Sequence, residues 1–142
     1  NSSFSYKNWD LGFNLRANIG NYAFNDVAAT NYSLANVYGG QGFLTNIHET
    51  ALKTGFTQPI SSTQSKSDYF LENASFLKMD NITLGYRFNE FFGTKLSGRL
   101  SFSMQNVFTI TNYSGLDPEN NGVDGNIWPR PRTYTFGVNL NF

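Results

Sequence analysis

From Tyr134 to Phe142 every second residue is apolar. Tyr134, Phe136, Val138, Leu140 and Phe142 share one parity, and Thr135, Gly137, Asn139 and Asn141 share the other. Successive side chains of a strand face opposite sides, so this is a strand with one wholly apolar face and one polar or small face. Three more stretches carry the same period. In 4–19, Trp9, Leu11, Phe13, Leu15, Ala17 and Ile19 oppose Asp10, Gly12, Asn14, Arg16 and Asn18. In 69–88, Ile82, Leu84, Tyr86 and Phe88 oppose Asn81, Thr83, Gly85 and Arg87. Upstream of these, Leu77 and Met79 fall on the polar parity; either a bulge near 79–81 restores them to the apolar face, or, if the strand spans a membrane, this upper part has already left it. In 95–108, Leu96, Leu100, Phe102 and Met104 oppose Ser97, Arg99, Ser101, Ser103 and Gln105. The fourth strand is 132–142. The pattern predicts an all-β chain of four antiparallel strands.

The connections alternate in length. A short turn, 89–94, follows the second strand, whereas 20–68 and 110–131 are long and rich in Asn, Ser, Thr and Gly; 46–53 has room for a turn or two of helix. Outer-membrane barrels have short periplasmic turns, long external loops and strands with apolar residues toward lipid and polar ones toward the lumen. On that reading the strands are transmembrane and the C-terminus lies on the periplasmic side of a bacterial outer membrane. The apolar face meets lipid and lipopolysaccharide. Trp9, Tyr86, Phe88, Phe91 and Phe92 form the periplasmic aromatic girdle. The residues Tyr134, Phe136, Val138, Leu140 and Phe142 serve as the barrel-assembly signal. Charge placement agrees: Asp10, Arg16, Arg87 and Arg99 all fall on the polar face, and an Arg on the lipid face at mid-membrane would cost roughly 2–4 kcal/mol.

Composition sharpens this picture. Charged residues are 14% and aromatics 17%, net charge is zero and there is no cysteine. A neutral chain has no field for nucleic acid, and disulfide or thiolate chemistry is excluded. Four strands cannot close a barrel, since single-chain barrels start at about eight, and open edges in lipid leave orphan backbone groups. Either the chain ends a larger barrel, or several four-stranded protomers share a structural or channel-forming one. A soluble β-sandwich binding module fits the lipid-like faces less well. The chain starts Asn1-Ser2-Ser3 with neither Met nor a signal peptide, which suggests a mature or partial chain with a genuine C-terminus.

Chemical motifs are sparse. Asp117, Glu119 and Asn121, with Gly122 at the sixth position, resemble the start of a calcium loop. Trp128 stands where the bidentate Glu is needed, so Asp124 would have to complete an irregular structural calcium site; the competing reading is a solvated turn. No other cofactor is expected. His48, the only histidine, opens His48-Glu49-Thr50-Ala51-Leu52, with Leu52 in the place of the second zinc ligand, so it reads as a loop residue. Tyr32, Tyr38, Tyr113 and Trp128 lie in the long loops as platforms for substrate or anchors for a lid. Arg16, Arg87 and Arg99 would face the lumen. No nucleophile–base set, paired carboxylates or phosphate loop is present, and an enzyme is not expected.

Three blocks then carry a family resemblance. Residues 69–86 read Tyr-Phe-Leu-Glu-Asn-Ala-Ser-Phe-Leu-Lys-Met-Asp-Asn-Ile-Thr-Leu-Gly-Tyr. Gln105-Asn106-Val107-Phe108-Thr109 is followed by Tyr113-Ser114-Gly115-Leu116-Asp117-Pro118-Glu119, and 129–142 run from Pro-Arg-Pro-Arg to the terminal Phe. In this order and spacing they resemble the end of the SusC/RagA-like TonB-linked outer-membrane transporters of Bacteroidota. The first strand fits more loosely and the loop 20–68 matches nothing in the pattern. The resemblance implies that the chain is the C-terminal part of a barrel of about 22 strands, whose plug lies elsewhere. It also implies a SusD-like lipoprotein lid, TonB acting through an absent N-terminal part, and uptake of glycans or peptides.

Overall fold

The computed structural model describes residues 1–38, 44, 46–47, 49, 51–56, 67–89, 96–125 and 127–141. The chain forms two compact units. One comprises Asn1–Asn18, Phe76–Thr111 and Arg130–Phe142; the other comprises Ile19–Ser75 and Asn112–Pro129. Among the described residues no helix is long and apolar enough to cross a membrane, which says nothing of strands.

The first unit is an antiparallel sheet of five strands, not four. They are β1 (Ser2–Tyr6), β2 (Trp9–Asn18), β5 (Phe76–Phe88), β6 (Ser97–Thr111) and β8 (Thr133–Asn141), side by side in that order. The stretch expected as one strand over 4–19 is therefore a hairpin. Tyr6 pairs with Trp9 across the two-residue turn Lys7-Asn8, with Lys7 in the left-handed region at φ 53°. Such turns usually announce themselves by Gly or Asn-Gly, and a lysine in that conformation gives no signal. The turn also ties to the next strand, Arg87 N donating to Asn8 O at 2.8 Å.

Register confirms the two faces. Leu11, Leu84, Phe102 and Phe136 stand in one row across β2, β5, β6 and β8, and Asp10, Gly85, Ser101 and Gly137 stand in the adjacent row. The bulge lies at Asp80: Asn14 pairs with Asn81 but Leu15 pairs with Met79. On its other side Asp80 faces two residues of β6, Asn106 and Val107. Asn106 takes the left-handed φ of 53°, which asparagine tolerates better than most residues, and its amide donates to Arg130 O at 2.9 Å. Beyond the bulge, Leu77 and Met79 oppose Ala17 and Leu15 on the apolar side, while Lys78 opposes Arg16. At 10 and 9 residues, β2 and β8 match the roughly 9–11 a tilted strand needs to cross a bilayer. With 13 and 15 residues, β5 and β6 exceed it.

The strand expected over 69–88 begins only at Phe76. Asp68–Phe70 is a 3-10 turn, and Leu71–Asn73 is β4 of a second sheet. An Asx turn separates the two strands: Ser75 N donates to Asn73 Oδ1 at 2.9 Å, and Ala74 N donates to Asn21 O at 2.9 Å. This second sheet, ordered β4-β3-β7, belongs to the second unit and combines β3 (Tyr22–Asn25) with the two-residue β7 (Val123–Asp124). Two short helices accompany it, α1 (Asp26–Asn31) and α2 (Ala51–Thr54), with a 3-10 turn at Leu34–Tyr38. Their core is Ala28, Ala29 and Phe70, with Phe24, Tyr32 and Phe56 packed against it. Residues 90–95, which carry most of the expected short turn with Phe91 and Phe92, lie outside the described residues, as do His48 and Phe142.

Gly98 tests the sheet. A Cβ there would collide with the backbone oxygen of Asn139 and stand 2.8 Å from the Phe88 ring, so the β6–β8 ladder would have to spread. Gly98→Ala is expected to destabilise the barrel containing this chain by about 1–3 kcal/mol, read as a lowered melting temperature; an unchanged value would contradict the packing.

Candidate functional site

Each face of the large sheet has its own chemistry. On the polar face, Arg99 Nη2 donates to Asp10 Oδ2 at 2.5 Å, and Arg87 Nε lies 3.8 Å from Asp10 Oδ1. Gly85 makes this possible, because a Cβ there would sit 2.6 Å from Asp10 Oδ1 and 2.7 Å from Arg99 Nη2. At the bulge, Arg16 grips Asp80 with two bonds, Nη2 to Oδ1 at 2.8 Å and Nε to Oδ2. The extra residue of the bulge thus places a carboxylate where the guanidinium of β2 can use it. On the other face aromatic pairs cross the strands: Trp9–Tyr86 at 4.7 Å and Phe102–Phe136 at 5.0 Å between centroids. Phe136 is 79% exposed and Val138 66% exposed. Tyr134 and Leu140 are exposed on the same face. An uncovered apolar belt of this kind is not a water-facing surface of a stable monomer.

The second unit is held by one carboxylate. Glu72 accepts from Ser114 N at 2.9 Å, from Ser114 Oγ at 2.7 Å and from Asn25 Nδ2 at 3.1 Å. Asn25 in turn caps α1 through Oδ1, which accepts from Ala28 N at 2.9 Å. β3 pairs in parallel with β7, Phe24 with Val123 and Asn25 with Asp124. Residues from both long connections therefore share a knot. The sequence reading missed Asn25 and Glu72; the available signal was Asn25-Asp26 ahead of Ala28-Ala29, an N-cap followed by an acid in the first turn.

Asp117 and Asp124 come together in a hydrogen-bonded turn. Asp124 Oδ2 accepts from Asp117 N at 3.3 Å, and its Oδ1 accepts from Asn120 Nδ2. Asp117 Oδ1 accepts from Glu119 N at 3.0 Å. Glu119 thus enters the turn through its backbone, and Asn121 is exposed. Among the described residues no three acidic, His or Cys side chains are grouped to hold a metal ion.

Of the four loop aromatics, Tyr113 is core rather than platform. It is 6% exposed, clustered with Ala23 and Ala74. Gly115 allows this closeness, since a Cβ there would stand 2.6 Å from the ring and from Asp124 Oδ2. Burial first, and then the Asp124 carboxylate, push the Tyr113 phenol well above its ordinary pKa. Tyr32 is half-buried and lines a cleft of about 370 Å³ with Asn31, Asn36, Asn46, Leu116 and Asp124. Tyr38 closes a 3-10 turn, and Trp128 is 80% exposed.

A lipid-type apolar face backed by an ionic face, with long connections folded into a unit of their own, is the pattern of an outer-membrane barrel wall. No family model matches the chain. Over 99% of its length it is 38% identical to TonB-dependent receptor SusC of Bacteroides thetaiotaomicron, of which it covers 14%. It is 26% identical over its whole length to TonB-dependent receptor P3 of Formosa agariphila, covering 16% of that protein. The structure of the RagAB peptide transporter superposes on 97% of the chain with a TM-score of 0.68 and 25% identity, again over 16% of the larger chain. The chain belongs to the SusC/RagA-like family of TonB-dependent receptors. It spans only 14–16% of the length of these relatives, which are receptors and transporters rather than enzymes.

The raised Tyr113 value has a pH consequence. Because the neutral phenol is favoured in the fold, its stabilisation is complete below the unfolded value of about 10 and is lost as pH rises through the higher folded value. Melts at pH 9 and pH 11 should therefore show a drop that is smaller in Tyr113→Phe; identical drops would mean that another group titrates.

Proposed function

We propose that this chain forms the C-terminal strands and external loops of a TonB-dependent importer in a bacterial outer membrane. The supporting observation is a five-stranded sheet whose apolar face is exposed along every strand. Lipid and lipopolysaccharide cover that face, and the C-terminus lies on the periplasmic side. The open edges of β1 and β8 continue into the remaining strands of a barrel of about 22. The polar face encloses a plug domain, and TonB energises transport through a part of the protein outside this chain. A SusD-like lipoprotein closes the external side over glycan or peptide substrates. Trp128, Tyr38 and Tyr32, the last lining the amide-lined cleft, are the part of the loops offered to lid or substrate, since aromatic faces suit both sugar rings and protein anchors.

Two outcomes are expected in the producing bacterium. Deleting the parent gene should abolish growth on one class of oligosaccharide or peptide while leaving monomer uptake intact; unchanged growth on every polymer would sink the transport reading. Val138→Arg in the parent should lower the amount of heat-modifiable receptor in the outer membrane, because the charge costs roughly 2–4 kcal/mol at mid-membrane. Wild-type levels would place Val138 away from lipid.

A further inference from the structure

We infer that the turn end of the polar face is a seat for a carboxylate carried by polypeptide lying inside the wall. Arg87 and Arg99 are direct cross-strand partners, an arrangement in which like charges repel. One carboxylate, Asp10, serves both. It is bonded to Arg99 at 2.5 Å but lies 3.8 Å from Arg87 Nε, beyond hydrogen-bond reach. Arg99 Nε is enclosed without an acceptor among the described residues. A concavity of about 290 Å³ is lined by Arg87 and Arg99, and its other polar walls are Asn89, Ser97, Asn139 and Asn141. These supply amides and a hydroxyl, and among the described residues no acidic side chain lines the space. Two guanidiniums against one carboxylate, which bonds only Arg99, leave an excess positive charge among the described residues of this end. The planar fork of arginine binds a carboxylate through two parallel bonds, and an Asp or Glu side chain has the size and charge the space lacks.

The source of that carboxylate follows from the face. Arg87 and Arg99, in register with Asn139, share their face with Asp10, Ser101 and Gly137, opposite the apolar belt, so lipid phosphate has no access. This step rests on the wall orientation proposed above. The occupant is therefore an acidic residue of the polypeptide that the barrel encloses.

Site-specific photocross-linking in the full-length receptor tests this. A benzophenone amino acid at position 139 is expected to capture a peptide of the same receptor that contains Asp or Glu. The yield should fall at least fivefold in Arg87→Glu and fall less in Arg87→Lys, which keeps the charge but not the planar fork; if Arg87→Glu fails to assemble, Arg87→Gln gives the same readout. Capture of a peptide without an acidic residue, no capture, or a yield indifferent to the charge at 87 would overturn the inference. The same probe at position 138 should capture lipid. If it captures protein or nothing, the wall orientation itself fails, so the two failures are distinguishable.

Discussion

In hydrocarbon a backbone N–H or C=O has no water to turn to, and each one left unmatched costs several kcal/mol. In the barrel wall proposed for this chain, that constraint governs the sheet. β2, β5 and β6 are paired on both sides, through registers that stay continuous apart from the single irregularity at Asp80. β1 and β8 are paired on one side only. Once the ladder is fixed, alternation decides which side chains lie on the apolar face and which on the polar one. The apolar row through Leu11, Leu84, Phe102 and Phe136 and the ionic row through Asp10 are both products of register.

The bulge shows how an exception to the ladder serves the faces. Without it, Leu77 and Met79 would fall on the polar face, and Lys78 on the apolar one. One extra residue in β5, answered by two in β6, corrects all three and gives Arg16 a carboxylate partner. The cost is a local break in pairing, offset in part by the Asn106 amide, which reaches across to Arg130. The same economy appears at Gly85 and Gly98. Each lacks a side chain because a neighbour already occupies that space: the Asp10–Arg99 pair in one case, and the Phe88 ring with the Asn139 backbone in the other.

How much of this could be read in the sequence depended on the range of the forces involved. Long alternating runs, as in Thr133–Asn141 or the first nine residues of Ser97–Thr111, record a face buried in one solvent and announce both strand and orientation. The Asp80 irregularity was legible too, because a parity switch leaves a mark on every residue upstream. The hairpin at Lys7-Asn8 was not: the apolar parity does switch there, from Phe4 and Tyr6 to Trp9 and Leu11, but over only two apolar residues, and no glycine marks the turn. The second sheet was illegible for a different reason. β3, β4 and β7 are two to four residues each and depend on partners far apart in the chain, so no local period survives to report them. Tyr113 read as an exposed platform because its loop is polar; its burial depends on Ala23 and Ala74, which only the fold brings near. The acidic turn at Asp117–Asp124 was read for its charges, whereas its carboxylates spend their lone pairs largely on neighbouring amides.

The knot of Asn25, Glu72 and Ser114 makes the two long connections a single inherited piece. Ordinary surface loops drift in length and sequence independently of one another. Here a strand from one connection lies between a strand of its own and a strand of the other, and one glutamate bonds residues of both. In a lineage adapting these surfaces to new tasks, an insertion near Tyr22–Asn25 would have to be matched near Ser114 or Val123–Asp124. Diversification is thereby channelled into stretches that neither strap crosses, and recombination between relatives would succeed when both connections travel together.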